Sequence, residues 1–520
     1  MPQATLMFDK DFTIGTTHPR LFGAFIEHLG RCIYGGIWEP GHPTADARGF
    51  RGDVMELVRE LAPTVMRYPG GNFVSGYNWE DGVGPVENRP SRLDLAWMST
   101  ESNRFGTNEF IDWCKVTGIE PMLAVNLGTR GGDAARNMVE YCNHPAGTYY
   151  SDLRRRHGWE QPHGVKFWCL GNEMDGPWQM EAKTADEYGR IAVEAAKMMR
   201  WIDPTLELAA CGSSSRRMAT YGAWEQTVLE HCFDHVEYIS LHTYLNNYAE
   251  DTAAFLASPD LMDSFIEEVV AIADAVAAKR RSKKRIQLSF DEWNVWYRTR
   301  RGTANRVKEG WPVAPPILEE VYNMQDALAF GGAVISLLNH ADRVTCACLA
   351  QLVNAIAPIL TETGGPAWRQ TIFHPFAHFS NYGRGEVLRL AVTSPTYDTR
   401  YYDPTRDEDL SFPIHDVSYL KAAAVHDTRN NMLNLFLLNR HLSEELALSV
   451  DARGFAGLEL ESALEMRDDD LDAVNTMTAP DRIRPGKLEG VTIDNGRISL
   501  RLSPASWNIV RLKLPDRPGA

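Results

Sequence analysis

Residues 165–173 read Val-Lys-Phe-Trp-Cys-Leu-Gly-Asn-Glu, and residues 285–292 read Arg-Ile-Gln-Leu-Ser-Phe-Asp-Glu. Each is a short, largely apolar, β-rich run that gives way to an acidic residue. Strands buried on both faces belong to a parallel sheet covered by helices, because helical crossovers hide both of its surfaces. Working outward from these two, further runs of the same kind occupy Leu21–Glu27, Thr64–Arg67, Pro121–Asn126, Leu206–Cys211, Val236–His242 and Gly332–Asn339. Most end on a polar residue, followed by a loop and a helical pattern. The clearest helix is Thr184–Ile202. Thr184 and Glu187 make a capping box, and Tyr188, Ile191, Ala192, Ala195, Met199 and Ile202 recur on one face. Asp53–Leu61 is a shorter helix ahead of the second run. Eight alternating units predict a (β/α)8 TIM barrel with long loops. An open doubly wound sheet is the alternative, but no Gly-x-Gly-x-x-Gly turn follows the first strand.

Beyond about Asn381 the texture changes. Leu388–Val392, Tyr419–Val425, Met432–Leu438, Glu445–Val450, Leu458–Leu464 and Ile498–Leu502 are short runs separated by turn residues. Asn495-Gly496, set between Val491/Ile493 and Ile498/Leu500, signals a tight hairpin. The expectation is α/β architecture with a C-terminal all-β sandwich. Residues 19–380 form the barrel and 381–520 the sandwich, and residues 1–18 contribute a strand that joins the sandwich.

Hydrophobic residues make up 44% and charged residues 23% of the 520, with a net charge of -16. No basic face exists for nucleic acid, and a neutral ligand is compatible with this balance. No run approaches the ~20 apolar residues of a membrane span. Asp9, Lys10 and Asp11 interrupt the segment where a secretory signal needs apolar residues, so a cytoplasmic location is expected. The eight cysteines are scattered, with no Cys-x-x-Cys pair, and read as buried reduced thiols. Neither a metal site nor a cofactor is expected: His18, His28 and His42 lack ligand spacing, and no His-Glu-x-x-His occurs. The basic run Lys279–Arg285 reads as a solvated helix terminus, and Asp468–Asp470 as a solvated turn.

Barrel active sites form where the strands end. Those ends carry Glu27, Arg67, Asn126, Glu173, His242 and Glu292. Two carboxylates are the minimum machinery for cleaving a glycosidic bond, one protonating the departing oxygen while the other attacks or activates water. Glu173 and Glu292 come from the fourth and seventh strands, which can face each other across a closed barrel.

Four stretches carry a resemblance. They are Glu27-His28-Leu29-Gly30-Arg31-Cys32-Ile33-Tyr34-Gly35-Gly36, Arg67-Tyr68-Pro69-Gly70-Gly71-Asn72-Phe73, Gly171-Asn172-Glu173-Met174-Asp175-Gly176-Pro177-Trp178 and Asp291-Glu292-Trp293-Asn294-Val295-Trp296-Tyr297. In this order they resemble glycoside hydrolase family 51 of clan A. The resemblance implies a retaining, exo-acting α-L-arabinofuranosidase that removes terminal non-reducing arabinofuranosyl units from arabinose-containing oligosaccharides. It implies Glu173 as acid/base and Glu292 as nucleophile. Arg67 and Tyr244 then support the nucleophile, and Asn172 bonds the sugar 2-OH. Glu27, Asn72 and Gln351 hold sugar hydroxyls, while His242 is a pocket wall or a core histidine. Trp97 and Trp296 are candidate platforms for the leaving group. A homo-oligomer, often a hexamer, is also implied. The segment Arg298–Pro316 reads as a lid or a subunit contact. An endo-β-glucanase or β-xylosidase on the same barrel is the rival enzyme. A catalytically silent carbohydrate-binding protein is the rival of another class, which the presence of both carboxylates disfavours.

Overall fold

Strand β1 is only Gly23–Phe25, and it is followed around a closed parallel barrel by β2 (Val65–Tyr68), β3 (Glu120–Val125) and β4 (Phe167–Leu170). The circuit continues through β5 (Glu207–Ala210), β6 (Tyr238–Leu245), β7 (Gln287–Val295) and β8 (Val344–Ala350), which pairs back onto β1. This computed structural model describes residues 1–301, 310–404, 410–455 and 457–515. Part of the Arg298–Pro316 segment therefore lies outside the described residues. Among the described residues, no helix is long and apolar enough to cross a membrane.

The strand side chains are buried and largely apolar, filling the barrel interior and the layer beneath the helices. The helix expected at Thr184 runs from Ala185 to Ile202. Thr184 N–H donates to Glu187 Oε2 at 2.9 Å, and the Thr184 hydroxyl accepts from Glu187 N–H. All eight cysteines are buried and unpaired.

The eighth strand is not where the sequence pattern puts it. Gly332–Asn339 lies inside a helix, Met324–Asn339, and the strand is the following run, Val344–Ala350. An apolar stretch of eight residues has no periodicity that separates a buried strand from a helix buried on every side. This helix is of the second kind, being wedged between the barrel and the C-terminal sheet. Gly331 lets it approach that sheet, since a Cβ there would stand 2.6 Å from Trp507 Cε3. Its start was legible in Asn323 and Asp326, which cap each other reciprocally.

Two antiparallel-rich sheets follow. One is centred on Leu420–Asp427, Met432–Asn439 and Ser506–Lys513. The other contains Leu446–Asp451 and Arg497–Leu502, with Gln3–Met7 inserted beside Leu446–Asp451. Asn495 and Gly496 both have positive φ, 47° and 77°, and join Thr492–Asp494 to Arg497–Leu502. The single run expected at Leu388–Val392 is split: Glu386–Leu388 and Ala391–Thr393 belong to different sheets. A hairpin unmarked in the sequence reading, Thr396–Tyr402 with Ser411–Ser418, reaches back to the barrel, where Tyr401 Oη accepts from Asn246 N–H at 2.8 Å. The junction also buries charge. Lys421 and Arg440 of the sandwich pair with Asp260 and Asp263 at the start of helix Pro259–Lys279. The basic run that begins at the end of that helix pairs outward, Lys279 with Glu230 and Arg280 with Asp234.

Candidate active site

At the C-terminal rim, β2, β4, β6 and β7 bring five charged groups into one buried cluster. Arg67 at the end of β2 donates from Nη1 to Glu292 Oε1 at 2.7 Å and from Nη2 to Asn172 Oδ1 at 2.6 Å. Glu292 Oε2 accepts from the Tyr244 hydroxyl at 2.8 Å. His242 spans two acids, with Nδ1 2.8 Å from Glu173 Oε1 and Nε2 2.9 Å from Asp291 Oδ1. One oxygen each of Glu173 and Glu292 lies within 4.8 Å of the other and of a His242 nitrogen.

Two departures from regular strand geometry make this possible. Consecutive side chains of a strand point to opposite faces, yet Asp291 and Glu292 both turn toward His242. The ladder register slips between Phe290 and Trp293 and again between Ser240 and His242, and such bulges re-aim side chains. Glu173 itself sits at φ 44°, just after Gly171 at φ 91°, in the turn that carries the chain off β4.

The electrostatics follow from burial. Desolvation opposes charge on His242, but Glu292, Asp291 and Glu173 outweigh it and push the imidazole up to about 10. Desolvation likewise opposes charge on Asp291, and Arg67 and His242 overcome it to hold that carboxyl below its usual range. Arg67 stays charged against its own burial because Asp291 and Glu292 surround it. The Tyr244 phenol is pushed well up by burial and by Glu292, so it remains a donor. Each ring nitrogen of His242 faces a carboxylate, Nδ1 that of Glu173 and Nε2 that of Asp291.

A second group sits across the rim. Glu27 Oε1 accepts from Phe73 N–H and from the Trp97 indole, each at 2.9 Å, and Oε2 accepts from Gln351 Nε2 at 2.8 Å. Burial pushes Glu27 up to about 8. Gln351 Oε1 is buried without a partner, and a half-turn of that amide presents it to a proton on Glu27 Oε2. Gly70 and Gly71 leave room for this side chain: a Cβ at Gly70 would stand 2.8 Å from Glu27 Cγ, and one at Gly71 2.7 Å from Oε2. Asn72 accepts from Gln179 and, at 3.4 Å, from Asn172.

Of the residues singled out in the sequence, Arg67, Glu292, Asn172, Tyr244 and Asn72 are joined by hydrogen bonds, Glu173 is bonded to His242, and the two sets meet where His242 Nδ1 pairs with Glu292 Oε2 at 3.6 Å. Glu27 and Gln351 form the second group. Trp296 is half-buried, edge-on to Tyr244 at 5.2 Å between ring centroids. Trp97 is not an open platform, since it is buried and its indole is spent on Glu27. Asn126 ties its own loop to the one after β2, donating to the Tyr77 carbonyl and the Thr129 hydroxyl and accepting from Gly128 N–H. The sequence reading missed Asp291, Gln179 and Trp178, although Asp291 and Trp178 stand inside motifs quoted for their neighbours. Trp178 Nε1 donates to Glu173 Oε2 at 2.6 Å.

A closed parallel barrel with two facing acids buried at the C-terminal ends of its strands defines the glycoside-hydrolase class of barrel enzymes. Residues 57–255 match the α-L-arabinofuranosidase 1 domain, and residues 291–506 match the α-L-arabinofuranosidase C-terminal domain. An intracellular exo-α-(1→5)-L-arabinofuranosidase of Halalkalibacterium halodurans is 54% identical over 98% of this chain and 99% of its own. A solved family 51 α-L-arabinofuranosidase from Bifidobacterium longum superposes with a TM-score of 0.91 at 42% identity, covering 98% of this chain and 99% of that one. The α-L-arabinofuranosidase of Thermotoga maritima, solved in complex with arabinose, gives 0.87 at 34% identity over 98% and 100%. The chain belongs to glycoside hydrolase family 51, the α-L-arabinofuranosidases.

Proposed function

We propose that the protein is a retaining exo-α-L-arabinofuranosidase that releases terminal arabinofuranosyl units from arabino-oligosaccharides inside the cell. The substrate class and the intracellular setting come from the relatives just named. One observation carries the mechanism: an oxygen of Glu173 and one of Glu292 approach within 4.8 Å. A retaining pair stands about 5–5.5 Å apart, whereas an inverting pair needs about 6.5–9.5 Å to admit a water molecule. Glu292, fixed by Arg67 and Tyr244, attacks the anomeric carbon as the glycosidic bond breaks, and Glu173 gives its proton to the departing oxygen. Glu173 then takes a proton from the water that cleaves the glycosyl ester. Asn172, Glu27, Asn72 and Gln351 hold the sugar hydroxyls, and Trp296 flanks the leaving group. Glu27, Glu173 and Glu292 are all buried, which suits a recess for one terminal sugar better than an open endo-acting cleft. The family resemblance supports a homo-oligomer, a hexamer being its common form.

The test is leaving-group dependence, with proton NMR following the first-formed anomer. Glu292→Ala should abolish turnover. Glu173→Ala should slow arabinobiose about 10²–10⁴-fold, and an activated 4-nitrophenyl arabinofuranoside far less, because only the former needs strong acid assistance. The α anomer should appear first. Equal losses on both substrates, or a β anomer, would overturn the assignment.

A further inference from the structure

Two buried aromatic side chains stand where β4 gives way to the turn that carries Glu173. The bond from Glu207 N–H to the Lys166 carbonyl, at 2.8 Å, sets the phase of the parallel ladder between β4 and β5. Rungs of one direction recur at every second residue along such a pair. Continued in that phase, the ladder would join Cys211 N–H to the Leu170 carbonyl and then Asn172 N–H to the Cys211 carbonyl. Pairing instead stops at Leu170 and Ala210. The Tyr188 hydroxyl enters the first of those rungs, accepting from Cys211 N–H and donating to the Leu170 carbonyl, each at 2.7 Å. The Trp224 indole takes the acceptor of the second, donating to the Cys211 carbonyl at 3.0 Å. The two rings come from successive helices, Ala185–Ile202 and Ala223–Cys232, and stack with centroids 5.5 Å apart at 16°. Both are buried, and burial pushes the Tyr188 phenol well above its usual range, so the hydroxyl keeps the hydrogen it donates. The backbone groups freed at the split thus find side-chain partners, as buried backbone requires.

A strand that kept pairing through Asn172 would hold residues 171–173 extended, with successive side chains on opposite faces. The site takes another path. Gly171 stands at φ 91° and Glu173 at φ 44°, and a left-handed Glu persists only where its surroundings fix it. We propose that Tyr188 and Trp224 are positioning residues that stop the β4–β5 ladder at Leu170 and so release Gly171–Glu173 into the turn that aims the acid/base. This rests on reading Glu173 as that group. Arg67 and His242 then receive Asn172 and Glu173 at 2.6 and 2.8 Å. In the sequence Tyr188 reads only as one residue of its helix's apolar face, and its hydroxyl gives it this second task.

The experiment measures kcat/KM on arabinobiose and on 4-nitrophenyl arabinofuranoside for wild type, Tyr188→Phe and Trp224→Phe, with a melting curve for each. Tyr188→Phe keeps the stacked ring and lets Cys211 N–H close directly on the Leu170 carbonyl. Trp224→Phe keeps an aromatic ring and frees the Cys211 carbonyl for Asn172 N–H. Each should lower kcat/KM on arabinobiose about 10- to 100-fold and on the aryl glycoside less than about threefold, because only the poorer leaving group needs a well-placed acid. Lys421→Met, at the barrel–sandwich junction, is the control for lost stability: its melt should fall while the ratio of the two substrates stays that of wild type. If the ratio moves as far in Lys421→Met, or if a folded Tyr188→Phe or Trp224→Phe loses both substrates equally or neither, the ladder stop is overturned. Glu173→Ala separates it from the reading beneath. Equal loss on both substrates there would sink the acid/base reading, whereas unequal loss there with an unmoved ratio in Tyr188→Phe sinks only the ladder stop.

Discussion

Replacing Glu27 by Gln should make the protein more stable, and increasingly so as pH rises. The buried carboxyl of Glu27 is pushed from its ordinary 4.5 up to about 8. Below 4.5 both folded and unfolded chains hold the proton, and burial has no pH-dependent consequence. Between 4.5 and 8 the unfolded chain ionises while the folded one does not, so wild-type stability falls as pH rises. Above 8 the loss is complete. Across that interval, at about 1.36 kcal/mol per pH unit, it amounts to at most about 5 kcal/mol, with about 3 kcal/mol already lost at pH 7. Glutamine has the same shape and still accepts from Phe73 N–H and the Trp97 indole. Its new amide meets Gln351, whose unpartnered Oε1 can turn to accept. The assay is urea unfolding of wild type and Glu27→Gln at pH 5, 7 and 9, followed by fluorescence. The gap in stability should widen in favour of Glu27→Gln by several kcal/mol from pH 5 to pH 9. A gap constant to within about 1 kcal/mol would mean that Glu27 ionises normally in the folded protein, and the reasoning would be refuted.

Two further substitutions probe other parts of the molecule. Tyr244→Phe deletes one hydrogen bond to Glu292, and a bond to a charged group is worth about 1.5–3 kcal/mol. The expected loss is therefore about 10- to 150-fold in kcat/KM for arabinofuranosides, and wild-type kinetics would remove Tyr244 from the nucleophile's support. Lys421→Met removes the buried ammonium that pairs with the half-buried carboxylates of Asp260 and Asp263 at the barrel–sandwich junction. It should cost about 1.5–3 kcal/mol, read as a lowered melting temperature with KM unchanged, and an unchanged melt would show that Arg440 on Asp260 and His340, 3.3 Å from Asp263 Oδ1, suffice.

Much of the barrel could be read from the chain because its strands carry their burial in their composition. Runs such as Phe167–Leu170 are apolar on both faces, and the residues just past them fall on the rim wherever the barrel closes. That logic was enough to draw attention to Glu173, Glu292 and Arg67 from one sequence. It failed for Gly332–Asn339, because a helix enclosed by barrel and sandwich loses the polar face that would betray its period.

What no local pattern contains is the set of contacts made across the barrel and its loops. The register slip that aims both Asp291 and Glu292 at His242 depends on how β6, β7 and β8 pair. The charge on His242 depends on three carboxylates brought from β4 and β7. Trp97 and Trp178 look alike in sequence, as loop tryptophans near acids, yet one is locked onto Glu27 and the other rests half-exposed on Glu173. The sequence by itself placed Glu27, Arg67, Glu173, His242 and Glu292 at strand ends, but not the end of the eighth strand. Only the tertiary structure decided which of them bond to one another, because those hydrogen bonds and ion pairs join residues from 48 to 225 positions apart in the chain.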